Sequence, residues 1–302
     1  MNERYQKIIN SLGEERVEKN VLLANYTTFK IGGPADLFYE AKTEEDLVRA
    51  VGVARDKALS FLILGGGSKL LIGDGGFRGL VIKVENPDLE IAKEGEMRVV
   101  VGAGMVTGDL VEKLVQAGIA GLEFMAGIPG TIGGAVKGNA GAWQQNIGDK
   151  ILRVKVLSPE GKISWLSQEE CQFDYRTSRF KRGSGEIVLV AEFGLSRGEP
   201  EVIKKKIKEN LEKRSVQPKE PSAGSVFVNP KPEAAGEMIE ACGLKGKQIG
   251  GAKISEKHAN FIVNLGGAKA TDIVALIELA QAAVKEKFGV DLKEEIVRVG
   301  EF

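Results

Sequence analysis

Between Thr43 and Lys57 the apolar residues Leu47, Ala50, Val51 and Ala54 recur at helical spacing, and Thr43 followed by Asp46 has the form of a capping box. The spacing predicts an amphipathic helix over 44–57. A short apolar run at 61–64 reads as a buried strand, so a helix and a strand deliver the chain into GGGSKLLIGDGG. Further strands are predicted at 80–83 and 98–101. Leu110, Val111, Leu114 and Val115 form one face of a helix that Thr107 is placed to cap and Gly118 to end. The segments 151–157 and 163–166, joined by Ser158-Pro159-Glu160-Gly161, read as a hairpin, and 187–195 as another strand.

The stretch EVIKKKIKENLEKR at 201–214 reads as a charged helix with Val202, Ile203, Ile207 and Leu211 as its buried stripe and its basic side chains as a solvated face. PSAGSVFVNP follows at 221–230. Its small residues have the chemistry of a turn, and Val226, Phe227 and Val228 read as a strand that Asn229-Pro230 ends. Beyond it come a helix near 234–241, strand signals at 248–254 and 260–264, and a helix capped near Thr271. That last helix carries Ile273, Ile277, Ala280, Val284 and Phe288 on one face and stops at Gly289; LKEEIVRV closes the chain as a strand. This order predicts an α+β protein rich in antiparallel pairing. Its expected divisions are an N-terminal helical segment over 1–24, a two-lobed module over 25–200 with a boundary near 80, and a second α+β domain over 201–302.

Charge and composition narrow the partners. Forty-two basic side chains balance forty-two acidic ones in 302 residues, which argues against a nucleic-acid binder relying on surplus Lys and Arg. Cys171 and Cys242 belong to no CxxC pair, and His258 is the one histidine. Disulfide frameworks, Ser-His-Asp triads built elsewhere and multi-histidine metal sites are therefore not expected, and no metal is. No apolar run approaches the ~20 residues of a membrane span. The polar opening MNERYQKIINSLGEERVEKN has no secretory apolar stretch, so the expected location is the cytoplasm.

The candidate chemistry lies in glycine. The chain has 39, clustered at 65–76, 127–141 and 243–251. Backbone approaches a phosphate closely where side chains are absent, and successive N–H groups there form an anion-binding nest. The Rossmann spacing GxGxxG and the P-loop GxxxxGK[ST] are not matched. Two glycine-rich loops, ILGGGSKLLIGDGGFRG and GLEFMAGIPGTIGGAVKGNAGA, could instead grip two ends of one diphosphate cofactor.

With TFKIGGPAD, DYRTSRFK, QPKEPSAGSVFVNP, ISEKHANFIVN and LKEEIVRVG, those loops stand in the order found in bacterial UDP-N-acetylenolpyruvoylglucosamine reductases. The chain resembles that family, in its shorter type, from about Asn25 onward. The resemblance implies a flavin fold of the vanillyl-alcohol oxidase and para-cresol methylhydroxylase kind, with non-covalent FAD, followed by a C-terminal substrate domain. The implied activity, part of peptidoglycan precursor synthesis, reduces the enolpyruvyl ether of UDP-N-acetylglucosamine to UDP-N-acetylmuramate. NADPH reduces the flavin, which passes hydride to the terminal methylene carbon of the UDP-sugar substrate.

The charge left beside the substrate carboxylate must be stabilised and then protonated. Matched to the family's motifs, Arg176 in DYRTSRF takes the carboxylate, because a guanidinium fork suits it. Glu295 in LKEEI works with it on the intermediate, and Ser225 supplies the proton. Implied FAD contacts are the backbones of Gly65, Gly66, Gly67 and Ser68 and of Gly130, Gly134, Asn139 and Gly141. The substrate diphosphate needs further cations, for which Lys181, Lys213 and Arg214 are candidates, with Tyr175 as a further candidate substrate contact; His258 and Asn260 are read as supports for the final domain. Read locally, Arg176 is also compatible with a surface ion pair, Ser225 with a turn hydroxyl and Glu295 with a strand-edge charge that Glu294 duplicates. The chain departs from the family at Val228, commonly basic, at Gly138, commonly Met, and at Gln144, Gln145 and Asn146, commonly rich in glycine.

Overall fold

The computed structural model describes residues 3–92, 97–230 and 232–302. Helix α1 (Glu3–Leu12) buries Ile8, Ile9 and Leu12 and is followed by Gly13 at φ +99°, a conformation glycine adopts without a Cβ penalty. The helical segment expected over 1–24 therefore needs correction: Val17–Leu22 is a strand, and Met1 and Asn2 lie outside the described residues. Helix α2 (Glu44–Asp56) forms where expected, buries Leu47, Ala50, Val51 and Ala54, and is capped by the Thr43 hydroxyl, which accepts from the Asp46 N–H. Helix α3 (Thr107–Gln116) differs at its start. Val106 is the cap position, while Thr107 Oγ1 donates to the carbonyls of Ile128 and Gly130, tying the helix to the second glycine loop.

Helix α4 (Ile132–Gly138) lies inside that loop, and helix α5 (Pro200–Arg214) follows the strand Ile187–Gly194. Of the expected stripe on α5 only Ile203 is fully buried; Val202 is 53% exposed and Leu211 46%. A helix this rich in Lys and Glu is held by one narrow line of contact rather than a broad apolar face. Helix α6 (Ala235–Ala241) and helix α7 (Ala270–Phe288) complete the set, with Ile273, Ile277, Ala280 and Val284 of α7 buried as expected and Phe288 37% exposed. Gly289 ends α7 at φ +71°. The start of α7 is satisfied from afar: Asp74 Oδ1 accepts from the Ala270 N–H at 2.9 Å, a role Thr271 was expected to fill.

The chain forms two compact units that interleave along the sequence. Unit 1 takes Met1–Val17, Tyr39–Gly66 and Val81–Arg214; unit 2 takes Glu18–Phe38, Gly67–Leu80 and Ser215–Phe302. Divisions at 24 and 200, expected from element order, differ from this because compactness follows spatial neighbours and not chain order. Helix α5 is part of unit 1, and the first glycine loop changes unit between Gly66 and Gly67.

Unit 1 is built on an antiparallel sheet in the order 163–167, 151–157, 187–194, 98–102, 89–92, which confirms the expected hairpin. Alternate residues Val154, Val156, Leu189, Ala191, Val99 and Val101 are buried. Near its first helices, Arg16 donates to both oxygens of Asp46 at 2.8 and 2.7 Å, Tyr39 Oη donates at 3.1 Å and the Lys42 N–H at 3.2 Å. These bonds, Arg16's first, hold the Asp46 carboxyl at about 2, below its ordinary value of about 3.9. The folded value lies below the unfolded one, so the stabilisation is full above roughly pH 4 and is lost as pH falls through about 2. Asp46→Asn is expected to lower the thermal midpoint by a few degrees at pH 7, about 1–2 kcal/mol with Arg16 partly in solvent. The gap to the unsubstituted protein should narrow by pH 3, which calorimetry at the two pH values would read.

Unit 2 packs its sheet, in the order 222–225, 261–264, 252–254, 248–249, with α6 and α7 around a core that includes Phe29, Leu71, Val226, Phe227, Ile239, Ile262, Ile277 and Ile296. A second, parallel pair joins Leu70–Ile72 to Val297–Val299, so LKEEIVRV is a strand only at its end.

Candidate functional site

PSAGSVFVNP folds differently from a turn that feeds a strand. The strand is Ser222–Ser225, on the small residues, and Ser225 is its last position. Pairing shifts register between Ser222↔Val263 and Ser225↔Phe261, and Gly224 sits between them at φ +69°, the left-handed conformation of a bulge that few other residues tolerate. Val226 and Phe227 then enter the core as an irregular segment held on both sides. Asn260 O accepts from Val226 N–H, while the buried Asn260 side chain both accepts from and donates to the backbone of Phe227 at 2.9 Å. Across from it, Glu295 N–H donates to Val226 O and Val228 N–H to Lys293 O. Asn260 is thus the support expected of it. His258, whose Nδ1 accepts from the Asn260 N–H at 3.2 Å, is another; burial, reinforced by Lys245, lowers its pKa.

The adjacent carboxylates take different partners in the irregular segment before Val297–Val299. Glu294 makes a two-pronged pair with Arg298, at 3.0 Å to Nε and 2.6 Å to Nη2, whereas Glu295 Oε1 lies 2.9 Å from Lys69 Nζ. Lys69 also donates to the carbonyl of Ser225 at 2.8 Å. Unit 2 therefore brings Ser225, Glu295 and Lys69 together. Lys69 went unread, although it is the one basic residue between Gly65 and Ile72 and that isolation was the available signal. It supplies a cation to this segment, where Val228 carries none.

Arg176 belongs to unit 1. Asp174 and Thr177 exchange backbone hydrogen bonds around a tight turn, and Arg176 occupies its third position at φ +55°, a conformation costly for a side-chain-bearing residue. The guanidinium Nη2 donates to Gly141 O at 2.8 Å and lies over the Tyr175 ring, Cζ 5.4 Å from its centroid. Lys181 Nζ donates to the Arg176 carbonyl at 3.1 Å. Arg214 is close enough that the Arg176 charge, after burial, pushes its pKa down; its Nε is buried with no hydrogen-bond partner among the described residues. Lys213 Nζ and Arg214 Cζ lie 5.3 and 5.7 Å from the Trp143 ring centroid. Tyr175, Lys181, Lys213 and Arg214 thus share one unit with Arg176, the lysines and arginines supplying positive charge and Arg214 an unsatisfied donor suited to an anion. Trp143 and Gln144, at φ +55° and +61°, form the two-residue turn between Gly141–Ala142 and Gln145–Asn146, a geometry in which glycine is favoured.

The glycine loops fall into two kinds. In unit 1 a Cβ on Gly65 would lie 2.4 Å from the side-chain Oγ1 of Thr131, and one on Gly66 2.6 Å from Gly130 Cα, where backbone runs against backbone. In unit 2 a Cβ on Gly67 would lie 2.1 Å from Tyr26 O; Ser68 follows in the turn before Leu70. Close packing fixes those glycines. Gly134 is different: among the described residues a Cβ there would meet Thr131 Oγ1 alone, at 3.9 Å, so none of them forbids a side chain at this position of α4, where glycine costs roughly 1 kcal/mol relative to Ala. The bare face of α4 leaves room for a ligand lying against main chain. Asn139, expected beside it, is in the left-handed conformation at φ +44°, and its side chain bonds Asp174 O and the Gly148 N–H. Its amide thus braces the turn that carries Arg176. Gly141 contributes the carbonyl that Arg176 binds.

Among the described residues there is no cluster of metal-ligating side chains and no helix long and apolar enough to cross a membrane. Cys171 and Cys242 are free thiols, and burial raises the Cys171 thiol to about 12.

Residues 35–167 match the family model of an FAD binding domain, and residues 217–299 that of the UDP-N-acetylenolpyruvoylglucosamine reductase C-terminal domain. The chain is 43% identical to the UDP-N-acetylenolpyruvoylglucosamine reductase of Halalkalibacterium halodurans, over 96% of each chain, and 40% identical to that of Bacillus subtilis, over 98% of this chain and 99% of the other. The crystal structure of the reductase from Thermus caldophilus superposes with a TM-score of 0.80 at 37% identity, covering 94% of this chain and 99% of that one. A grass pollen allergen with glucose dehydrogenase activity shares the fold at 13% identity and a TM-score of 0.51, over 66% of this chain and 45% of that one. An FAD-binding module followed by a C-terminal domain is the architecture expected from the motifs, and the chain belongs to the UDP-N-acetylenolpyruvoylglucosamine reductase family.

Proposed function

We propose that the protein uses FAD and NADPH to reduce the enolpyruvyl ether of UDP-N-acetylglucosamine to UDP-N-acetylmuramate, in the cytoplasm, as a step of peptidoglycan precursor synthesis. Similarity to reductases of that name over nearly the whole chain carries the reading. FAD belongs with the backbone of Gly65, Gly66, Gly67 and Ser68, with Gly130 and the open Gly134 face of α4, and with the backbone of Asn139 and Gly141. When bound it supplies a two-electron carrier between a nicotinamide and carbon.

The remaining chemistry falls to side chains. Reducing the enolpyruvyl double bond places negative charge on the carbon between the ether oxygen and the carboxylate. Arg176, braced by Asn139 and Lys181 in its turn, binds that carboxylate through its planar fork. Glu295 works with it on the charged intermediate. Ser225 Oγ gives its proton to the carbon, completing the lactyl group. Arg214, with Lys213 and Lys181, offers positive charge to the substrate diphosphate, and the buried Arg214 Nε supports this assignment.

Purified protein supplied with FAD is expected to turn yellow, to bleach with NADPH in the absence of air, and to regain colour when the enolpyruvyl UDP-sugar is added. Failure to take up FAD overturns the proposal, as does a bleached protein that the substrate does not reoxidise. Reoxidation by air faster than by substrate would reassign the chain to oxidase chemistry.

A further inference from the structure

We infer that Lys69 is a positioning residue for this reduction, joining the proton donor to the carboxylate that works beside it. The inference rests on the function proposed above. Three segments of unit 2 meet at the ammonium. Leu70–Ile72 pairs in parallel with Val297–Val299, with Val297 N–H donating to Lys69 O at 2.8 Å, so Lys69 and Glu295 both lie just ahead of the paired strands, within reach of each other at 2.9 Å. The third segment is the end of Ser222–Ser225, whose last carbonyl receives the second Nζ hydrogen bond.

The surroundings are shaped for this contact. Lys69 Nζ passes beside Gly224, 3.7 Å from where a Cβ would stand, and the left-handed φ of +69° at that glycine turns the end of the strand toward it. The register shift at Gly224 also leaves Phe261, the strand partner of Ser225, donating its N–H elsewhere, to His258 O at 2.9 Å. Glu295 is 13% exposed and Lys69 39%, so the carboxylate is largely enclosed while the lysine approaches from the solvent side. A hydroxyl donor and a carboxylate acting on one carbon must keep their spacing, because a misplacement of about 1 Å costs on the order of 10²-fold in rate. Lys69 holds that spacing from the turn before Leu70–Ile72, a segment to which neither belongs.

Lys69→Met keeps the stem and removes the ammonium. Anaerobic stopped-flow on the FAD-loaded protein is expected to show substrate-driven reoxidation slowed roughly 10–100-fold, with NADPH-driven bleaching and FAD affinity within a factor of two or so of the unsubstituted protein. Lys69→Arg should recover most of the loss. Because Lys69 also follows the glycine loop, weakened FAD binding in Lys69→Met, or equal slowing of both half-reactions, overturns the inference in favour of a cofactor role. An unchanged reoxidation rate overturns it too. Thermal midpoints of Lys69→Met, Glu295→Gln and the double variant, taken without FAD or substrate, test the contact itself: non-additive shifts support it, and additive ones overturn it. If the unsubstituted protein is not reoxidised by the enolpyruvyl substrate, the proposed function falls and the inference with it; non-additivity would then survive as a structural contact only.

Discussion

Ser225→Ala is expected to slow reoxidation of the reduced protein by the enolpyruvyl substrate about 10²–10⁴-fold, the range for loss of a positioned general acid, while NADPH bleaches the flavin at an unchanged rate. The substitution removes one oxygen at the end of a strand and leaves the fold intact. Its neighbours are held without the hydroxyl: Val226 by main-chain bonds to Asn260 and Glu295, and Phe227 by the Asn260 side-chain amide. The left-handed backbone that sets the direction of Ser225 belongs to Gly224, which is untouched. Stopped-flow on each half-reaction separates the outcomes. Selective slowing with substrate identifies the proton donor, and equal slowing of both steps would make Ser225 a structural hydroxyl.

Arg176→Lys is expected to lower kcat/KM for the enolpyruvyl substrate about 10²–10³-fold, or roughly 3–4 kcal/mol. Charge is kept, but the planar fork is lost. One prong of Arg176 already donates to Gly141 O, and a single ammonium cannot reproduce that bond and a two-pronged carboxylate contact together. Lysine tolerates the φ of +55° no better than arginine, so the comparison isolates the head group from the backbone. FAD affinity serves as a control, because Gly141 is also an expected cofactor contact. A variant within a few-fold of the unsubstituted kcat/KM would remove Arg176 from the carboxylate.

Both predictions concern residues that ordered sequence motifs single out, and the reason is local. Ser225 follows a glycine, Arg176 lies in a short polar turn, and Glu295 stands in a compact acidic motif, so each sits in a recognisable stretch of chain. Helix α2, the 151–167 hairpin and the buried face of α7 were legible for a related reason: period 3.6 and period 2 are written in neighbouring residues. Where legibility failed, a distant partner had taken over. The hydroxyl of Thr107 serves the loop at 128–130 and not the helix it begins, and Asp74 caps α7 from far back along the chain. Val202 and Leu211 have the spacing of a buried stripe, yet α5 meets its unit mainly through Ile203.

By itself the sequence determined the residue types, the glycines that permit close backbone approach, the periodic elements and the family. Tertiary structure decided the division into interleaved units, the placement of a strand on Ser222–Ser225, the parting of Glu294 from Glu295, and the meeting of Lys69 with Ser225 and Glu295. Hydrophobic periodicity couples residues a few positions apart, whereas Lys69 and Glu295, far apart along the chain, meet only when a parallel strand pair brings their segments together.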